Sequence, residues 1–169
     1  MEHIKNKVAE SGIITLDLAQ YLPKDGDIAI FDLKPFLFRE MILKEKEYRE
    51  ALLSHDWEQY AGKQVAIYCS VDAIIPVWAH MLATTYLQTK ATLVYLGSPE
   101  QLTHYIILKN IENINTDEYN DKRVVINGCG EINIPDAAYV AITSKLKPVV
   151  KSLMYGEPCS TVPVYKKKL

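Results

Sequence analysis

Apolar runs of roughly four to six residues alternate along this chain with helical stretches of roughly 10 to 16, and no other feature narrows the fold as far. The runs are apolar throughout rather than at every second position. Each must therefore be covered on both faces, which is the pattern of strands in a parallel sheet. Residues 13–18, 27–33, 65–69, 92–96 and 123–127 read as strands, and 44–55 and 73–88 as helices. Ser98-Pro99-Glu100-Gln101 opens another helix: a cap, proline at the first position, and a glutamine placed to bond back. Pro135 opens a further one that stops near Pro148, beyond which a second short helix is expected. Residues 161–165 read as a last edge strand, because Pro163 is tolerated only at an edge or a bulge. The expected fold is a single three-layer α/β domain over residues 1–169. Its sheet is mainly parallel, with helices on both faces and antiparallel strands allowed at its edges; 65–69, 92–96 and 123–127 are expected as neighbours at its centre.

A shift of 59 residues lays part of the chain on itself. Tyr60 falls on Tyr119, Lys63 on Lys122, Val65 on Val124, Ile67 on Ile126, Pro76 on Pro135, Ala79 on Ala138 and Thr84 on Thr143. Any two strand-to-helix units look somewhat alike, and the echo is open to that plainer account too. Either way, both units set a turn at the carboxyl end of a parallel strand, the edge where open α/β sheets bind ligands.

Composition excludes several classes. With 169 residues, 49% hydrophobic and 24% charged, the chain can bury a core without staples. A net charge of −2 argues against nucleic acid, which needs a dense basic face. No apolar run approaches the ~18 residues of a membrane span, and Met1–Glu10 shows no secretory h-region, so the cytoplasm is the expected compartment. The Lys44–Glu50 run reads as a solvated helix face with Glu45–Arg49 paired, His55 as a surface residue, and Lys166–Lys168 as a frayed tail.

Three cysteines are an odd count for a disulfide framework. Cys69 sits in the first turn and Cys129, between Gly128 and Gly130, in the second, both near helix N-termini that favour a thiolate. Cys159 lies in a loop stiffened by Gly156, Pro158 and Pro163. Three converging thiolates suit zinc or iron, including an iron–sulfur cluster. Asp72 is the first choice of fourth ligand, with Glu157 and His80 behind it, and Gly128, Gly130 and Glu157 are candidate ligand-binding positions. Two alternatives stand beside this: a thiol enzyme or sulfur carrier with Cys129 as nucleophile, and a partner-binding domain whose cysteines only fill gaps in the core.

Several stretches resemble one family: Asn6–Gly12, Asp32–Lys34, Phe36–Phe38, Leu43–Lys46, His55–Trp57, Cys69–Ile74, Lys122–Gly130 and above all Pro148–Tyr165. It is a family of bacterial proteins classed as a domain of unknown function, and the resemblance runs nearly the full length. It implies no catalytic residue. It implies an association with the sulfur-mobilisation system, so iron–sulfur assembly proteins are the expected partners.

Overall fold

The computed structural model describes residues 12–128, 133–157 and 160–168. In chain order its regular elements are β1 (Ile13–Asp17), β2 (Ile28–Asp32), β3 (Leu37–Phe38), β4 (Ile42–Leu43), α1 (Glu45–Ser54), β5 (Gln64–Tyr68), α2 (Val77–Leu87), β6 (Leu93–Leu96), α3 (Pro99–Glu112), β7 (Arg123–Asn127), α4 (Asp136–Leu146), β8 (Ser152–Glu157) and β9 (Ser160–Lys166). Short 3-10 turns lead into β5 and β7. The class is α/β, as expected. Among the described residues no helix is long and apolar enough to cross a membrane.

The chain divides into two compact units. One is continuous, Pro23–Thr103; the other is split, taking the chain up to Leu22 and from His104 onward. The continuous unit holds the parallel sheet β2-β5-β6 and the small hairpin β3-β4, and the split unit holds β1-β7-β8-β9, antiparallel only at β9. The placing of 65–69, 92–96 and 123–127 in one sheet is therefore corrected. β5 and β6 are neighbours, but β7 has its two flanks taken by β1 and β8, as β5 has by β2 and β6, and a strand has only two edges. The antiparallel edge is β9, with a register shift opposite Leu153/Met154 that accommodates Pro163. The second helix after Pro148 does not form. Leu153-Met154-Tyr155 instead pairs with β7, and Leu153 is fully buried.

The 59-residue echo is structural. Gln64 pairs with Leu93 in one sheet, and Arg123 with Ser152 in the other. The loop bonds repeat as well. Gly62 N–H donates to the Lys90 carbonyl and Asp121 N–H to that of Val149; Thr92 N–H donates to Lys63 and Lys151 N–H to Lys122. Gly62 and Asp121 share a positive φ, as do Gly97 and Gly156. The buried positions correspond too: Val65-Ala66-Ile67 with Val124-Val125-Ile126, Leu87 with Leu146, and Tyr48 and Leu52 on α1 with Ile107 and Ile111 on α3. At the front of each unit, Asp17 and Asp32 end β1 and β2, and each carboxylate accepts the N–H two residues on. The chain is thus one βαβαβ design present twice, with one copy inserted between the first strand and first helix of the other.

Each copy packs its own core. The continuous unit fills its centre with aromatic rings. His55, at the end of α1, is not a surface residue: its ring lies against Phe31, Phe36, Trp57 and Tyr60, and burial lowers its pKa against the raising effect of Asp56. Tyr48 is fully buried and donates to the Ala79 carbonyl at 3.1 Å. The expected capping box forms, with Gln101 N–H donating to Ser98 Oγ and Ser98 N–H to Gln101 Oε1. The expected Glu45–Arg49 pair forms at 2.9 Å.

Asp32 ties the first strand of the continuous unit to the turn after β5. Its Oδ1 accepts from the Lys34 and Ser70 N–H groups, and its Oδ2 from the Ser70 hydroxyl at 2.6 Å. Burial alone would raise its pKa. The Ser70 hydroxyl, the two N–H donors and the Lys34 charge outweigh that and hold it below the ordinary value of 3.8. A carboxyl depressed on folding stabilises the native state above its unfolded pKa and loses that contribution as pH falls through the folded one. We expect Asp32→Ala to cost about 1–2 kcal/mol in urea unfolding at neutral pH, the side chain being open to water on one side. The gap between parent and variant should narrow below about pH 4; an equal gap at neutral and acid pH would show that the ionised carboxylate is not the stabilising form.

Candidate functional site

Of the residues expected to form a metal centre, the structure describes Cys69 and Asp72. Cys69 follows β5, is half-buried, and packs against the aromatic core of the continuous unit. Asp72 is exposed in the loop beyond it. The strand that leads to Cys129 belongs to the other sheet and the other unit. Cys129, Gly130 and Cys159 lie outside the described residues. Among the described residues no group of three His, Cys, Asp or Glu could hold a metal ion. The zinc or iron site built on Cys69, Cys129, Cys159 and Asp72 is therefore withdrawn as the reading of function. Its premise was a single sheet edge carrying the first two thiols. Duplication instead gives each turn its own sheet.

One of the expected ligand-binding residues, Glu157, bonds to Asn127 at the carboxyl edge of β1-β7-β8. Asn127, at the end of β7, donates from Nδ2 to Glu157 Oε1 at 3.2 Å, while its buried Oδ1 has no hydrogen-bond partner among the described residues. Gly128 comes next, directly under Tyr139. A Cβ there would collide with Tyr139 Oη and reach within 2.7 Å of Ile134 Cδ1. The tyrosine's pKa is raised by burial first, then by the nearby Tyr155, Asp17 and Asp136. The glycine predicted for ligand approach is thus required by the phenol packed on it.

A larger concavity lies at the opposite, amino end of the same sheet, where sequence reasoning saw only a tail. β9 pairs antiparallel to β8 with Ser152 opposite Lys166, and Lys167 N–H donates to the Lys151 carbonyl at 3.0 Å. Ser152 in turn is opposite Arg123 across the β7–β8 ladder. These pairings gather Arg123, Lys151, Lys166, Lys167 and Lys168 around a cavity of about 800 Å³. Asp121 is the one carboxylate in its lining among the described residues. Ile13, Met154, Pro163 and Tyr165 supply an apolar floor. Lys166 and Lys167 are therefore held by strand pairing, not frayed. In sequence the five cations are scattered over 46 positions, from 123 to 168, and only the ladder register brings them together.

The other copy serves as an internal control. The positions of Arg123, Lys151 and Asp121 are held there by Gln64, Thr92 and Gly62, with the same pairings and loop bonds. At these three positions the charge is not needed to build the fold.

At Gly128, we expect Gly128→Ala to destabilise by roughly 1–3 kcal/mol through overpacking. Adding Tyr139→Phe, which removes the colliding oxygen, should return part of that loss in the same unfolding assay. Full stability of the single variant would refute the packing role.

Comparison with other proteins names no activity or partner. No curated protein and no solved structure matches the chain, and the iron–sulfur assembly proteins expected as partners find no support there. A family model does match, over residues 2–167, and it is described as a protein of unknown function. The chain belongs to that family, DUF2480.

Proposed function

We propose that the protein binds a small anionic molecule with an apolar body in the basic cleft of the split unit. The observation that carries this is the concentration of five cations around one cavity; the two that have counterparts in the duplicate copy, Arg123 and Lys151, are Gln64 and Thr92 there. Like charges held together repel, and nothing in the sheet requires them; an anionic ligand relieves the repulsion. The Arg123 guanidinium offers a planar fork suited to phosphate or carboxylate, and the lysines offer mobile point charges around it. Tyr165, Met154 and Pro163 would cover the apolar part of the ligand. The cavity volume of about 800 Å³ falls within the range of small-molecule sites. The chain as a whole carries −2, so the positive field is local, which favours a compact anion over an extended polyanion.

Calorimetric titration tests this with two probes, inorganic phosphate and 1-naphthyl phosphate. Both should bind, the naphthyl ester more tightly, and both should weaken with added salt. The double variant Arg123→Gln/Lys151→Thr installs the residues of the duplicate copy, so the fold should tolerate it. It should lower affinity by about tenfold or more, since charged hydrogen bonds contribute roughly 1.5–3 kcal/mol each. Equal affinity of parent and variant for both probes, or no binding by the parent, would overturn the proposal.

A further inference from the structure

The continuous unit carries an exposed apolar surface built on its hairpin and on the approach to α2. Phe38 and Ile42 are opposite one another in the β3–β4 hairpin, so both side chains leave on the same face of the ribbon. Ile42 is bridged to Ile74 in the segment entering α2. Val77 follows at the first turn of that helix, and Met81 lies one turn further on the same side. Exposure is 83% at Ile74, 74% at Val77, 65% at Met41 in the hairpin turn, 64% at Met81 and 50% at Ile42.

The fold does not ask for these side chains. At the positions 59 residues on, Ile74 and Val77 are replaced by Asn133 and Asp136, in the same approach to the equivalent helix. The hairpin has no counterpart, because the inserted unit takes its place in the split copy. Ile74 and Val77 are thus particular to this copy, while Met81 matches the equally exposed Val140, and the surface is large. Its six side chains leave on the order of 700 Å² open, above the stray patches of a typical monomer and close to the ~800 Å² each partner gives to a standard stable interface.

The charges around this surface point to its occupant. Lys34 pairs with Glu40 at 3.2 Å and Lys44 with Glu47 at 3.1 Å. Arg39 and Lys44 also lie over the Phe38 ring. The rim carries both signs, with Lys34 and Lys44 already paired to carboxylates, so it presents no field that selects a strongly acidic or basic partner. Two copies of such a face can meet about a two-fold axis, apolar centre on apolar centre, without bringing one sign against itself. Met41 and Met81 supply adaptable side chains for the contact. We propose that this face pairs with the same face of a second copy of the chain, forming a symmetric dimer.

Sedimentation velocity of the full chain over a concentration series tests it. A species of twice the 19.2 kDa mass should grow in with concentration. The double variant Ile74→Asn/Val77→Asp, taken from the duplicate copy, should weaken association by at least about 100-fold while leaving circular dichroism and Tm near the parent's. Met81→Lys, on an exposed helical position, provides a second disruption if the double variant folds poorly. Arg123→Gln/Lys151→Thr, at the basic cleft, should dimerise as the parent does. A parent that sediments as a monomer throughout, or disrupted variants that associate as tightly as the parent, would overturn the proposal.

Discussion

Two triplets of side chains govern this molecule: Val65-Ala66-Ile67 in β5 and Val124-Val125-Ile126 in β7, each at most 4% exposed. A strand buried on both faces needs cover above and below, and each of these two also has a strand on either side. The flanking strands follow as β2 and β6 in one unit and β1 and β8 in the other. The helices that pack on them place Leu87 or Leu146, and Tyr48 or Ile107, into the corresponding core. Neighbouring features such as the Asp32 clamp and the matched positive φ of Gly62 and Asp121 serve to bring the chain into and out of these central strands.

Much of the fold was legible in the sequence because it rests on local signals. The apolar run of β7, the capping box of α3, and Pro163 at a bulged edge each follow from a few adjacent residues. Pairing was less legible. Continuous apolar strands announce that they are buried and are silent about which neighbour buries them, so β7 was joined to the wrong sheet. The remedy lay in the echo itself. Carried past Thr143, the 59-residue shift sets Gly156 on Gly97 and Leu153 on Val94, which turns the expected second helix into the strand β8. His55 was misjudged for a related reason. Its polar neighbours Ser54 and Asp56 suggested a surface, while the rings that enclose it come from as far away as Phe31.

The candidate sites show the same limit. Cysteines draw attention because their chemistry is versatile, yet Cys69 packs as a small apolar group. Lysines attract little, and five cations spread along the chain gave no motif. Once the ladders set their register, the cations share one cavity, and the duplicate copy shows which of them the fold could do without. A repeated design lets the chain serve as its own reference: whatever differs between copies at matched positions is a candidate for function, and whatever agrees is a candidate for architecture.

The insertion of one copy within the other also orders events during synthesis. The β2–β5 ladder joins Ile28 to Gln64, close along the chain, and closes a short loop. The β1–β7 ladder joins Ile13 to Arg123, with the whole continuous unit between them. Loop closure costs more entropy as the loop lengthens, and contacts between distant residues form late. As the chain leaves the ribosome, the inserted copy has all its strands before β7 exists. The copy made first thus has its strands in hand while the other still waits for the central strand that β1 must find.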